Sequence, residues 1–157
     1  MTKKEKKRPN ILLAIADDAS HMGTSCDFVN TPNFNRIAEE GILFENSFTS
    51  NPKCAPSRAS LLTGKHTWQL EEACNHVSVF PDKFEVYPDI LEGNGYYIGF
   101  TGKGWAPGNW KKGGFSHNPA GYEFNNNTLT PPENTKISSR DYAANFNEFL
   151  ERRPEDK

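Results

Sequence analysis

Apolar and polar positions alternate along this chain in short blocks that differ in period. Ile11 to Ala16 is a continuous apolar run of strand length, entered through Pro9-Asn10 and stopped by Asp17-Asp18. An unbroken run of this kind suits a central parallel strand buried on both faces. Thr31-Pro32 offers an N-cap with Pro at the first helical position. Phe34, Ile37 and Ala38 then fall at i, i+3 and i+4 before Gly41, which predicts a short amphipathic helix. From 42 to 48, Ile42, Phe44, Asn46 and Phe48 alternate with Leu43, Glu45 and Ser47, the pattern of an extended segment or strand. A second helix is predicted from near Pro56 to Gly64.

The stretch 65–88 has no clean period and is rich in Trp, His, Phe and Pro, which predicts a long ordered surface loop. Residues 88–93 read as a short helix with a Gly stop, and Tyr96 to Thr101 as a strand. Gly, Pro and Asn dominate 106–138, a predicted loop. Ser138 or Ser139 is then placed to cap a helix carrying Tyr142, Ala143, Phe146, Phe149 and Leu150 on one side. This order of elements predicts an α/β fold with a mostly parallel sheet. Only two or three strands are counted before the polar exit at 152–157, so the expectation is the first portion of a larger domain, with a flexible tail at 1–8 and the domain portion at 9–157.

Composition narrows the function. The 157 residues are 12% aromatic, enough to build a core, and 18 Lys plus Arg stand against 20 Asp plus Glu. With no basic stripe interleaved with aromatics, nucleic acid is not an expected partner. The basic run Lys3, Lys4, Lys6, Lys7, Arg8 precedes an apolar stretch too short for a signal peptide or membrane span. Cys26, Cys54 and Cys74 make an odd count without CxxC spacing, against a zinc site or disulfide scaffold. Two half-buried free thiols are favoured over a Cys26–Cys74 pair, which would need an oxidising compartment.

Two clusters carry candidate chemistry. Asp17-Asp18 lies where a buried strand would meet a loop, and adjacent carboxylates suit a hard cation, or otherwise form a solvated turn. Cys54-Ala55-Pro56-Ser57-Arg58 puts a Cys just before a helix N-terminus with an Arg one turn on, an arrangement that fits a reactive thiolate or an anion site.

Cys54-Ala55-Pro56-Ser57-Arg58 with Thr63-Gly64 downstream, arriving after Pro9-Asn10-Ile11 and Asp17-Asp18, resembles the signature of the formylglycine-dependent sulfatases of the alkaline phosphatase superfamily. The resemblance covers about 9–150 and reaches only the first part of such a domain. It implies a mostly parallel α/β sheet flanked by helices. It also implies that a maturation enzyme converts Cys54 to formylglycine, whose hydrated form attacks sulfur. Asp17, Asp18 and residue 54 would then ligate Ca²⁺ or Mg²⁺, and Arg58 would stabilise the diol among its neighbouring charges. Lys103, in Thr101-Gly102-Lys103-Gly104-Trp105, is similar to the family lysine that contacts the substrate sulfate. Many sulfatases carry a His two residues after this Lys, where this chain has Trp105. His66 and His76 are the candidates to take over proton transfer, His76 being assigned a substrate-binding position, although a surface or packing histidine is the plainer reading of each. Further ligands and a second lysine would come from sequence beyond 157, the remaining C-terminal part.

Together with Trp68-Gln69-Leu70-Glu71-Glu72, the pattern resembles bacterial sulfatases near the heparan N-sulfatase branch. The implied substrate is a sulfate ester or sulfamate of a sulfated glycan, and the implied location periplasmic or secreted. A phosphatase or phosphonate hydrolase of the same superfamily is the alternative enzyme. An inactive glycan-binding fragment is the alternative outside catalysis, and an unmodified thiolate enzyme ranks last.

Overall fold

A computed structural model describes residues 8–20 and 29–157, and the chain divides into two compact units, Met1–Asn46 and Ser47–Lys157. Cys26 and the lysines of the basic run lie outside the described residues.

In the first unit the described residues hold one helix, α1, Pro32–Glu40. Pro32 at its first position and Gly41 after its end bound it as predicted. The cap differs: the Thr31 side chain makes no bond to a helix amide, and its Oγ1 donates instead to Asn35 Oδ1 at 3.2 Å. The expected central strand is corrected. Residues 11–16 form no strand, and Ile11, Leu12, Leu13 and Ile15 are exposed. Of the two readings of 42–48, strand or extended segment, the strand is not formed, and Ile42, Phe44 and Phe48 are exposed. Both corrections have one cause: a strand exists only through its neighbours' hydrogen bonds, and the single sheet among the described residues is elsewhere.

The second unit is built around α2, Cys54–Thr63. It begins two residues before Pro56 and ends at Gly64, whose φ of 66° closes the helix in the left-handed region and sends its N–H to Ser60 O. Ala59 and Leu62 on α2 enter a core with Leu70, Ala73, Phe80 and Val86, flanked by Phe84, Tyr87, Trp105 and Phe115. Four of these six buried residues come from 65–88. That stretch is therefore not a surface loop. It contains two short 3₁₀ turns, Thr67–Gln69 and Glu71–Cys74, and its irregular backbone delivers apolar side chains at unequal spacing. Phe80 is the centre, edge-on to Trp105 at 5.1 Å between ring centroids and tilted against Phe115 at 6.0 Å.

Helix α3, Tyr87–Gly93, follows close to expectation. The strand predicted over 96–101 is reduced to β1, Gly99–Phe100, which pairs in parallel with β2, Tyr122–Glu123, with Gly99 opposite Tyr122 and Phe100 opposite Glu123. The predicted loop 106–138 thus contains a strand, and also the one-turn helix α4, Trp110–Gly113. Gly113 packs so closely on Phe80 that an added Cβ would sit 1.7 Å from the Phe80 carbonyl oxygen, a position only glycine fills. Helices around a small parallel sheet agree with an α/β class. No helix among the described residues is long and apolar enough to cross a membrane.

The last helix, α5, Tyr142–Arg152, is capped by Asp141, whose Oδ1 accepts from Ala144 N at 2.9 Å, and not by Ser138 or Ser139. Phe149 reaches a second aromatic cluster, stacked on Tyr97 at 5.2 Å and edge-on to Phe124 at 5.5 Å. The fully buried residue of α5 is polar. Asn145 accepts from the Asn127 amide at 3.0 Å and donates to Asn127 O at 3.0 Å and Asp141 O at 2.7 Å. Asn145→Ala strands these groups in a dry site and should cost roughly 2–4 kcal/mol. Denaturant unfolding and lost exchange protection at the Asn127 amide would show it, and an unchanged midpoint would contradict it.

Candidate functional site

The Cys54 segment is set up locally by hydroxyl and amide side chains. Asn51 Oδ1 accepts from Lys53 N at 3.1 Å, a turn that aims the chain into α2. Asn51 Nδ2 donates to Cys74 O at 3.4 Å. Thr49 Oγ1 donates to Ser57 Oγ at 3.0 Å, and the Ser50 and Ser60 hydroxyls meet at 2.8 Å. Residues 49–51 are thus strapped to two successive turns of α2 and to the second 3₁₀ turn. Sequence reasoning missed this strap, although Asn51 two residues before Lys53 is a readable turn signal.

Cys54 is the first residue of α2 and a half-buried free thiol, where free backbone N–H groups and the helix dipole favour a negative group. Its Sγ lies 3.3 Å from Nε2 of His76, within hydrogen-bonding reach for sulfur. His76 is exposed and arrives from the middle of the 65–88 stretch, twenty-two residues on. His66 does not join this contact. It caps the first 3₁₀ turn, where its N–H donates to Gln69 Oε1 at 3.0 Å, and its ring stacks near Trp68.

Arg58 is buried at 8% exposure, and its Nη1 donates to the backbone carbonyl of Lys103 at 2.8 Å. This bond ties the signature helix to the turn that carries Lys103, which is itself exposed. Asn125 closes the same turn, its Oδ1 accepting from Gly102 N at 2.7 Å. Trp105 has a packing role: its ring lies against Phe80 and Phe115, and its Nε1 donates to Gly108 O at 2.8 Å. An indole in that place fills the core and offers no proton-transfer group.

Asp17 and Asp18 belong to the first unit. They form an exposed turn at the end of the 9–16 run, with Asp18 at φ 55°, a left-handed conformation that Asp tolerates. Their carboxylates are hard oxygen donors of the kind that Ca²⁺ or Mg²⁺ takes. Cys54, His76, Arg58 and Lys103 belong to the second unit.

The sequence matches the sulfatase family over residues 9–157. The chain belongs to the sulfatase family. It is 38% identical over 104 residues to an N-acetylglucosamine-6-O-sulfatase of Bacteroides thetaiotaomicron, covering 64% of this chain and 18% of that protein. It is 32% identical over 132 residues to human arylsulfatase D, covering 74% of this chain and 22% of that protein. Against mouse iduronate 2-sulfatase the identity is 37% over 103 residues, or 63% of this chain and 19% of that protein. The chain therefore spans about a fifth of the length of these relatives. No solved structure matches it.

Removing the Arg58 guanidinium should uncouple α2 from the Lys103 turn. Arg58→Ala is expected to cost about 3 kcal/mol, from the lost charge-assisted bond and the void left behind, and to raise amide exchange at 102–104. Unaltered exchange there would mean that the bond does not hold the turn.

Proposed function

We propose that this chain is the N-terminal part of a sulfatase catalytic domain that hydrolyses sulfate esters or sulfamates of a sulfated saccharide, with residue 54 as the nucleophile after its conversion to formylglycine. The observation that carries the reading is the joint placement of Cys54 and Arg58 on α2: the first at the helix tip beside His76, the second bonded to the Lys103 carbonyl. A nucleophile, a proton-handling imidazole, a buried cation and the segment of a second cation are thereby organised by one helix. The saccharide class rests on the names of two relatives, an N-acetylglucosamine-6-O-sulfatase and an iduronate 2-sulfatase.

By resemblance to the family, Asp17, Asp18 and residue 54 would be ligands of a divalent cation, Ca²⁺ or Mg²⁺, which would supply Lewis-acid polarisation of the sulfate. Arg58 and Lys103 balance negative charge around residue 54 and the sulfate group, positive charge that an anionic substrate requires. His76 Nε2 holds or moves the proton at residue 54, the task that Trp105 cannot perform. A maturation enzyme must reach Cys54, and its half-exposed position at a helix start leaves it accessible for that modification. The remaining ligands are assigned to the C-terminal part of the protein, and the location to the periplasm or exterior.

The test uses the whole protein, matured with its aldehyde-forming enzyme and assayed on sulfated monosaccharides. Cys54→Ala should remove turnover by at least about 10³-fold while the circular dichroism spectrum is kept, and peptide mass spectrometry should find an aldehyde in place of the thiol at residue 54. Full activity in Cys54→Ala would sink the proposal. His76→Ala should lower kcat by about 10²–10³-fold with little change in KM and flatten one limb of the pH–rate profile. A variant that keeps kcat and the profile would take His76 out of the reaction.

A further inference from the structure

Away from Cys54, three side chains with metal-ligating atoms converge on the second unit. Asp89 and Glu92 stand three residues apart on α3, so they share a face of the helix, and His117 reaches them from the 114–121 loop. One donor atom from each lies within 4.8 Å of the other two. His117 Nε2 is 3.1 Å from Glu92 Oε2. Ligand atoms on a shared ion at zinc-like bond lengths stand about 3.4 Å apart, so this spacing is close to an edge of a coordination polyhedron.

Two further observations separate the cluster from an ordinary surface ion pair. Asp89 Oδ1 is shut off from solvent and has no hydrogen-bond partner, which leaves a carboxylate oxygen without the donor or cation that burial demands. His117 Nδ1 lies 3.1 Å from Ser116 Oγ. With Nδ1–H donating to that hydroxyl, the Nε2 lone pair faces the two carboxylates, the arrangement by which protein scaffolds orient metal-binding imidazoles.

The scaffold on each side is fixed before any ion arrives. Val86 and Pro88 bury the start of α3. Phe115 packs on the core at one end of the loop, and at the other Asn118 accepts from Ala120 N at 3.0 Å and from Gly121 N at 2.8 Å.

We propose that Asp89, Glu92 and His117 form a surface site for one borderline divalent cation of the Zn²⁺ class, which cross-links α3 to the 114–121 loop. The imidazole and the small ligand number select a Zn²⁺- or Co²⁺-like ion over Ca²⁺, which takes six or more oxygens. Water completes the shell on the exposed side of His117 and Glu92. The site is distinct from the cation assigned to Asp17 and Asp18, and it stands whether or not that assignment holds.

The experiment titrates Co²⁺ alone into the whole protein carrying Asp17→Asn and Asp18→Asn, followed by visible absorption and by calorimetry. One equivalent should bind at micromolar concentration with a low-coordinate Co²⁺ spectrum. His117→Ala should weaken that binding by at least tenfold, as should Asp89→Asn, and Ca²⁺ should not compete. His117 is exposed, so its variant should fold, as circular dichroism will check. Failure to bind below millimolar Co²⁺, or binding that His117→Ala leaves unchanged, would overturn the site and identify the contact as a plain ion pair.

Discussion

Arg58 is a cation held at 8% exposure, and a charge in that position must be bonded or it will not stay. Its bond to the Lys103 carbonyl joins two segments separated by forty-five residues. Because α2 also carries Ala59 and Leu62 into the core, the same helix fixes its depth by apolar packing and its bearing by hydrogen bonds, those of Arg58, Ser57 and Ser60 among them. Cys54 at the tip of α2 inherits both constraints. A thiol at the end of a freely swinging helix could not keep a 3.3 Å contact with a histidine on a different segment.

Phe80 provides the counterpart on the other side of the core. It holds Trp105 edge-on, Phe115 tilted and Gly113 in backbone contact. Through Trp105 it bounds the Lys103 turn, and through Phe115 it sets one end of the loop that carries His117. Irregular backbone is thereby made stiff by aromatic side chains, so that a unit with only a two-stranded sheet still presents side chains in defined positions.

Much of this was legible where the signal is local. Pro32 with Gly41, and Gly64 after the helix begun near Pro56, mark helix ends because φ preferences act on single residues. The Cys-x-Pro-Ser-Arg segment was legible as a family signature because it is contiguous in the chain. Elements that depend on distant partners were not. The Ile11–Ala16 run has strand composition yet no strand neighbour among the described residues, and 96–101 keeps only two paired residues. Residues 65–88 misled for a different reason. Leu70, Ala73, Phe80 and Val86 reach the core from turns of unequal length, so no period connects them, and a stretch without period reads as surface. The sequence favoured Ser138 or Ser139 over Asp141 as the cap because Ser and Asp both cap helices, and the choice of Asp141 goes with the Asn127–Asn145 pairing one turn on.

The same distinction explains the histidines. A position two residues after Lys103 follows the Lys103 turn directly, and whatever stands there must pack against Phe80 and Phe115 or face the site. A Trp satisfies the first demand, packing its half-buried ring on the core and using its one N–H on Gly108. The imidazole that reaches Cys54 comes from a different segment. His76 makes that approach. It follows the second 3₁₀ turn, whose Ala73 is in the core and whose Cys74 carbonyl is bonded by Asn51, and so it is delivered from a fixed base two residues away. His66, committed to capping its own turn, does not. Packing therefore decides which of the two candidate histidines meets Cys54, and it does so through residues with no chemical function of their own.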